Sequence, residues 1–76
     1  MDILITAADR KGLLSDISSA ITHEDVDVIG VRTHSDRAHD TATMSFTLEI
    51  NDMKHLSKVL NKVAQVPDVI EVRRRV

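Results

Sequence analysis

The chain has no cysteine, tryptophan or tyrosine, and only one phenylalanine, one proline and two glycines among its 76 residues. Without thiols there is no disulfide framework and no thiolate metal site, and the composition fits a reducing compartment. With Phe46 as its single residue among Phe, Tyr and Trp, the chain has no set of such rings on which bases would stack. No apolar run is long enough to cross a bilayer and no secretion signal is visible, so the expected location is the cytoplasm. Neither sign of charge dominates. Ten Lys and Arg against 12 Asp and Glu leave a formal net charge of −2, and no global field favours nucleic acid. The 42% of hydrophobic residues suits one small globular domain spanning residues 1–76. A chain this short buries only about 60% of the surface that it exposes when unfolded, so its margin of stability is thin.

The few glycines and the proline punctuate a readable pattern. Asp2 to Ala8 predicts a strand, with Ile3, Ile5 and Ala7 on one side and Leu4 and Thr6 on the other. Leu13, Leu14, Ile17, Ala20 and Ile21 recur at helical spacing and predict a helix, with Ser15, Asp16, Ser18, Ser19 and Thr22 opposite. In the turn between them, Gly12 permits a sharp bend and a close approach. Asp9 is placed to cap the helix, and Asp16 lies near the positive end of its dipole. His23-Glu24-Asp25 ends the helix.

Val26 to Ser35 predicts a second strand whose phase breaks around Gly30. Val26 and Val28 share one face and Ile29 and Val31 the other, which points to a bulge or a close backbone approach. A polar hairpin loop, Asp36 to Asp40, leads into Thr41 to Ile50, where Ala42, Met44, Phe46, Leu48 and Ile50 alternate with small polar residues. Asn51-Asp52 opens a second helix with the stripe Met53, Leu56, Val59, Leu60 and Val63. Pro67 stops it at or before Val66. Asp68 to Val76 predicts the last strand, ending on Arg73-Arg74-Arg75.

The order β-α-β-β-α-β places the chain in the α+β class. To bury both stripes, two helices must cover one face of a four-stranded antiparallel sheet. Right-handed crossovers put the first and third strands in the centre and leave the second and fourth as edges, where a second copy can add.

The chemistry concentrates in few places. The open face of the third strand offers Thr43, Ser45 and Thr47 instead of rings, against base stacking. His34 and His39 flank the hairpin loop beside Asp36 and Asp40, but a solvated loop is the stronger reading than a metal site. No nucleophile–base arrangement or carboxylate pair stands out, and no catalytic residue, metal or cofactor is expected. Arg73, Arg74 and Arg75 are candidates for a local phosphate contact, but charging an edge strand against aggregation is the stronger reading. The turn Asp9 to Leu14 is the candidate ligand site. N–H groups around Gly12 and Leu13 suit the carboxylate of a free amino acid, and Asp9 suits its ammonium group. An apolar wall would come from a second chain docked along Val28 to Thr33.

The strings DRKGLLSDIS, VDVIGVRTHSD, ATMSFTLEI and QVPDVIEVRRR together resemble the ACT-domain family over nearly the whole chain. More narrowly, they are similar to the C-terminal ACT domain of the RelA/SpoT proteins, the GTP pyrophosphokinases and (p)ppGpp hydrolases of the stringent response. The resemblance implies a ferredoxin-like βαββαβ sandwich. It implies a non-catalytic regulatory module, excised from the C-terminus of a longer protein whose catalytic domains are not in this stretch. It implies ligand-binding positions at Asp9, Arg10, Gly12, Leu13 and Leu14 in the turn and at Val28, Ile29 and Gly30 in the second strand of a partner chain. The implied partners are an amino-acid effector, branched-chain favoured, other domains of the parent protein, the ribosome or tRNA, and a second copy through a sheet edge. Lys11 stands where many family members carry proline, and Asp27 where many carry asparagine. Two alternatives stay open: a protein or RNA interaction module without a small ligand, and a stand-alone amino-acid sensor.

Overall fold

The computed structural model describes residues 1–75, with the side chains of residues 1–74, and orders them as β1 (Asp2–Ala8), α1 (Leu13–Thr22), β2 (Asp27–Asp36), β3 (Thr41–Glu49), α2 (Met53–Ala64) and β4 (Val69–Arg75). Val76 and the side chain of Arg75 lie outside the described residues, and the expected phosphate contact of Arg75 falls there with them. The strands form one antiparallel sheet in the order β2-β3-β1-β4, as the crossover argument predicts.

The alternation in β1 and β3 decides which face is core. Ile3, Ile5 and Ala7 on β1 meet Phe46, Met44 and Ala42 on β3 in register, and all six are buried. The helices press Leu13, Ile17 and Ile21 of α1 and Leu56, Val59 and Val63 of α2 onto that face. Burying each such side chain contributes roughly 1.5–3 kcal/mol before the entropy of ordering it is charged. Asp52 caps α2, its Oδ1 accepting from the Lys54 N–H at 2.9 Å. His55 Nε2 donates to the backbone carbonyl of Glu24, so α2 is tied to the loop between α1 and β2.

Two expectations are corrected. Leu14 and Met53 lie off the buried stripes, 44% and 52% exposed, because the sheet occupies a narrower arc of each helix than the apolar residues do. Asp9 does not cap α1. Its N–H donates to Asp40 O at 2.8 Å, which fixes it to the end of the sheet, and the helix begins only at Leu13, behind Gly12. Val28 and Val31 are not shielded although they face the helix side in register with Leu48 and Phe46. As edge residues beyond the reach of α1 they stay 39% and 47% exposed.

Both edge strands carry an extra residue. The β2–β3 register shifts between Val28 and Gly30, and the β1–β4 register shifts between Thr6 and Ala7, opposite Ile70. The bulge was expected on β2; the one on β4 was not. The extra residues, Ile29 and Ile70, are 64% and 63% exposed. Bulges of this kind bend an edge away from regular pairing.

Candidate functional site

Gly12 starts α1 in the left-handed region, at φ 83°, and no side chain caps the helix. The positive φ is what requires glycine. A Cβ there would meet nothing closer than Arg10 Nη1 at 3.9 Å, so the expected close approach is not the reason. Leu13 N–H donates to Arg10 O at 3.3 Å and Asp16 N–H to Gly12 O at 3.0 Å. Among the described residues, the N–H groups of Leu14 and Ser15 have no acceptor. They present the positive end of α1 to solvent beside the exposed Leu14 side chain, an arrangement suited to a carboxylate.

Arg10 is committed elsewhere. Its Nη2 donates to Asp16 Oδ2 at 2.8 Å and to Pro67 O at 3.1 Å, and its Nη1 donates to Lys11 O at 3.2 Å. Its Nε sits 2.8 Å from Asp68 Oδ2, an ion pair whose angle falls outside hydrogen-bond geometry, which leaves that buried N–H without a formal acceptor. The hydrogen bond to Asp16 is the main reason that the guanidinium pKa lies above its ordinary value. Partial burial works against this, and the charge of Asp68 adds to it. Asp9 is exposed at the same corner, with its carboxylate unpaired among the described residues.

The second half of the expected site lies at the other end of the molecule. Ala8, just before the Gly12 turn, is level with Thr41 and hence with Asp36 of β2, whereas Val28 is level with Leu48. Seven residues along β3 separate the two rows, a distance of about 23 Å. One chain therefore brings Asp9, Arg10, Gly12, Leu13 and Leu14 together but not Val28, Ile29 and Gly30. Gly30 faces open space, with nothing within 4 Å of a Cβ built on it, so the bulge and not a close contact explains its place.

The arginine run splits across the sheet. Arg73 is level with Leu4 on the open face, while Arg74 is level with Ile3 on the helix face, where Nη1 reaches Met53 Sδ at 3.6 Å. The sequence pattern brought His34 forward only as a residue of the hairpin loop and did not single out Arg32. Opposite Ser45 and Thr43, both lie on the open face. The bulge at Ile29 resets the alternation and hid this from a reading of the strand alone. At the hairpin, His39 Nδ1 contacts Asp36 Oδ2 at 2.8 Å, while His34 lies on the sheet face.

An ACT-domain family model matches residues 1–74. The chain belongs to the ACT-domain family. This ACT domain is 44% identical over 72 residues to a GTP pyrophosphokinase of Escherichia coli K12, matching 95% of the chain and 10% of that protein. It is 40% identical over 74 residues to the bifunctional (p)ppGpp synthase/hydrolase RelA of Mycobacterium tuberculosis, matching 95% of the chain and 10% of the relative. The chain thus spans about a tenth of the length of these relatives. Its fold matches the crystal structure of the ACT domain from the GTP pyrophosphokinase of Chlorobium tepidum, with a TM-score of 0.84 at 19% identity, covering 97% of this chain and 94% of that one. It also matches the small subunit of acetolactate synthase from Thermotoga maritima, with a TM-score of 0.82 at 7% identity, covering 95% of this chain and 44% of that one.

Proposed function

We propose that this ACT domain is the non-catalytic regulatory module of a RelA/SpoT-type protein of (p)ppGpp metabolism, and that it responds to amino-acid status by binding a free amino acid between two copies. Supporting the parentage, the chain matches a tenth of a GTP pyrophosphokinase at 44% identity over nearly its whole own length. The observation that carries the ligand reading is the separation of the two half-sites. The uncapped start of α1 and the Val28–Gly30 stretch of β2 lie at opposite ends of the sheet, which supports a reading in which two chains each contribute one of them.

A two-fold antiparallel pairing of β2 with β2 of a second copy, centred near Val31 and Arg32, lays each Val28–Gly30 stretch alongside the other copy's Gly12 end. The effector carboxylate then accepts from the Leu14 and Ser15 N–H groups. Its ammonium group is met by Asp9, and its side chain lies between Leu14 and the apolar residues of the second copy. A branched-chain side chain fits against the apolar side chains of Leu14, Val28 and Ile29, all exposed in the single chain. Coupling to the parent protein follows if paired and unpaired arrangements dock differently on its other domains.

The test is thermal unfolding with valine, leucine and isoleucine, alongside sedimentation. At about 100 times the dissociation constant, a binder is stabilised by roughly 2.7 kcal/mol, a rise on the order of 10 °C in a domain of this size. The larger species should grow with ligand. Leu14→Glu should abolish both effects while leaving the fold intact. Absence of any shift with any amino acid overturns the ligand reading and favours a docking module without a small ligand.

A further inference from the structure

The open face of the sheet carries a second candidate site, separate from the Gly12 corner and reaching from β3 onto β2. Residues level with one another on the four strands form rows across this face. One row runs Arg32, Ser45, Leu4, Arg73; the next runs His34, Thr43, Thr6, Glu71. Arg32, His34, Thr43 and Ser45 are thus the corners of one square on two adjacent strands, about 5 Å by 7 Å on a side. Around this square the surface forms a depression of about 340 Å³, lined by Leu4, Arg32, Thr33, His34, Thr43 and Ser45. Its volume is at the lower end of the range for small-molecule sites.

All four corner side chains are hydrogen-bond donors, and among the described residues Arg32 and His34 have neither a hydrogen bond nor an ion pair. The acids on the same face are Asp2, Asp27, Asp36, Glu49 and Glu71. Asp36 is occupied at the hairpin, where it accepts from the Ala38 N–H at 3.0 Å and contacts His39. Glu71 lies 3.4 Å from Arg73. Asp2 is level with Thr47, one row outside the square, and Asp27 and Glu49 face each other one row further out. In a chain of net charge −2, cationic and hydroxyl donors with no internal acceptor are gathered over a half-buried leucine.

We propose that this depression binds a compact phosphorylated anion, the phosphate or pyrophosphate group of a small molecule. The Arg32 guanidinium supplies a planar fork suited to two phosphate oxygens. Ser45 and Thr43 hydroxyls donate from the neighbouring strand, His34 donates through a ring N–H, and Leu4 excludes water from the floor. No Phe, Tyr or Trp ring lies on this face, so recognition falls on the phosphate group and not on a base.

The experiment is a titration of the ¹⁵N-labelled chain with sodium pyrophosphate, followed by amide chemical shifts, against sodium chloride at matched ionic strength. The expected result is saturable shifts centred on Arg32, His34, Thr43 and Ser45 that chloride does not reproduce. Arg32→Gln should weaken binding at least about tenfold, Ser45→Ala less, and Arg37→Gln in the hairpin not at all. Shifts spread evenly over the basic residues, or equal effects of Arg32→Gln and Arg37→Gln, overturn the proposal, as does saturation by a short single-stranded RNA without a response to pyrophosphate. Because the amino-acid test reads a different corner, each can fail without the other.

Discussion

Arg10 and Asp68, 58 residues apart in sequence, hold the two turns at one end of the sheet together, with Nε 2.8 Å from Oδ2. The same guanidinium reaches Asp16 in the first turn of α1 and the carbonyl of Pro67, so one side chain joins the start of the first helix to the connection behind the second. Removing it by Arg10→Met should lower the melting temperature by on the order of 5 °C. The carboxylates are half exposed, and the gap between wild type and variant should narrow in 1 M salt. The guanidinium pKa is raised in the folded state, so the arginine's part of this stabilisation is fully present at neutral pH and is lost as the pH rises into strong alkali. Melting curves at two salt concentrations check this; an unchanged gap would mean that packing and not charge makes the contact matter.

The two glycines should respond in opposite ways. Gly12→Ala places a side chain at φ 83° and should cost roughly 1–2 kcal/mol in urea unfolding. Gly30→Ala meets open space at ordinary φ and should be neutral or stabilising by up to about 1 kcal/mol. Equal losses at both positions would contradict the conformational account.

Three aspartates, Asp25, Asp40 and Asp68, sit in turns with φ of 57°, 50° and 74°. Asp25→Gly relieves that conformation without removing an ion pair among the described residues, and should stabilise the fold by up to about 1 kcal/mol. Asp68→Gly gives the same relief but takes away the partner of Arg10, and should come out less stable than Asp25→Gly. Unfolding midpoints of the two variants decide the order.

Adjacent leucines give the sharpest contrast in the first helix. Leu13 is 4% exposed and Leu14 44%. Leu13→Ala should cost about 2–5 kcal/mol, enough to unfold much of so small a domain. Leu14→Ala should stay within about 0.5 kcal/mol while weakening any amino-acid response.

What the sequence made legible was whatever repeats with one period. The five-fold alternation in β3 and the stripes around Ile17 and Val59 fix the sheet, the helix side and the strand order. Positions where two demands compete were harder. Leu14 is apolar and at helical spacing, yet lies just outside the arc that the sheet covers. Asp9 has the chemistry of a cap, but Gly12 restarts the chain before the helix begins. Arg32 and His34 share a face with Ser45 and Thr43 only because one extra residue at Ile29 shifts the phase. No pattern confined to β2 contains that information, since the shift is defined only against β3. The candidate site at the Gly12 corner could be named from the turn; its distance from Val28, Ile29 and Gly30 within one chain emerges only when the rows of the sheet are counted.

The extra residue at Ile29 also limits what can grow from that rim. From Gly30 to Asp36 the outer backbone offers one uninterrupted row of donors and acceptors, and before it the spacing is wrong for a further regular pair. An incoming strand has little freedom to slide, which favours closure with one neighbour in one alignment. On the far rim, Ile70 interrupts the ladder in the same way. A sheet with both borders interrupted lends itself poorly to the endless stacking that builds a fibre.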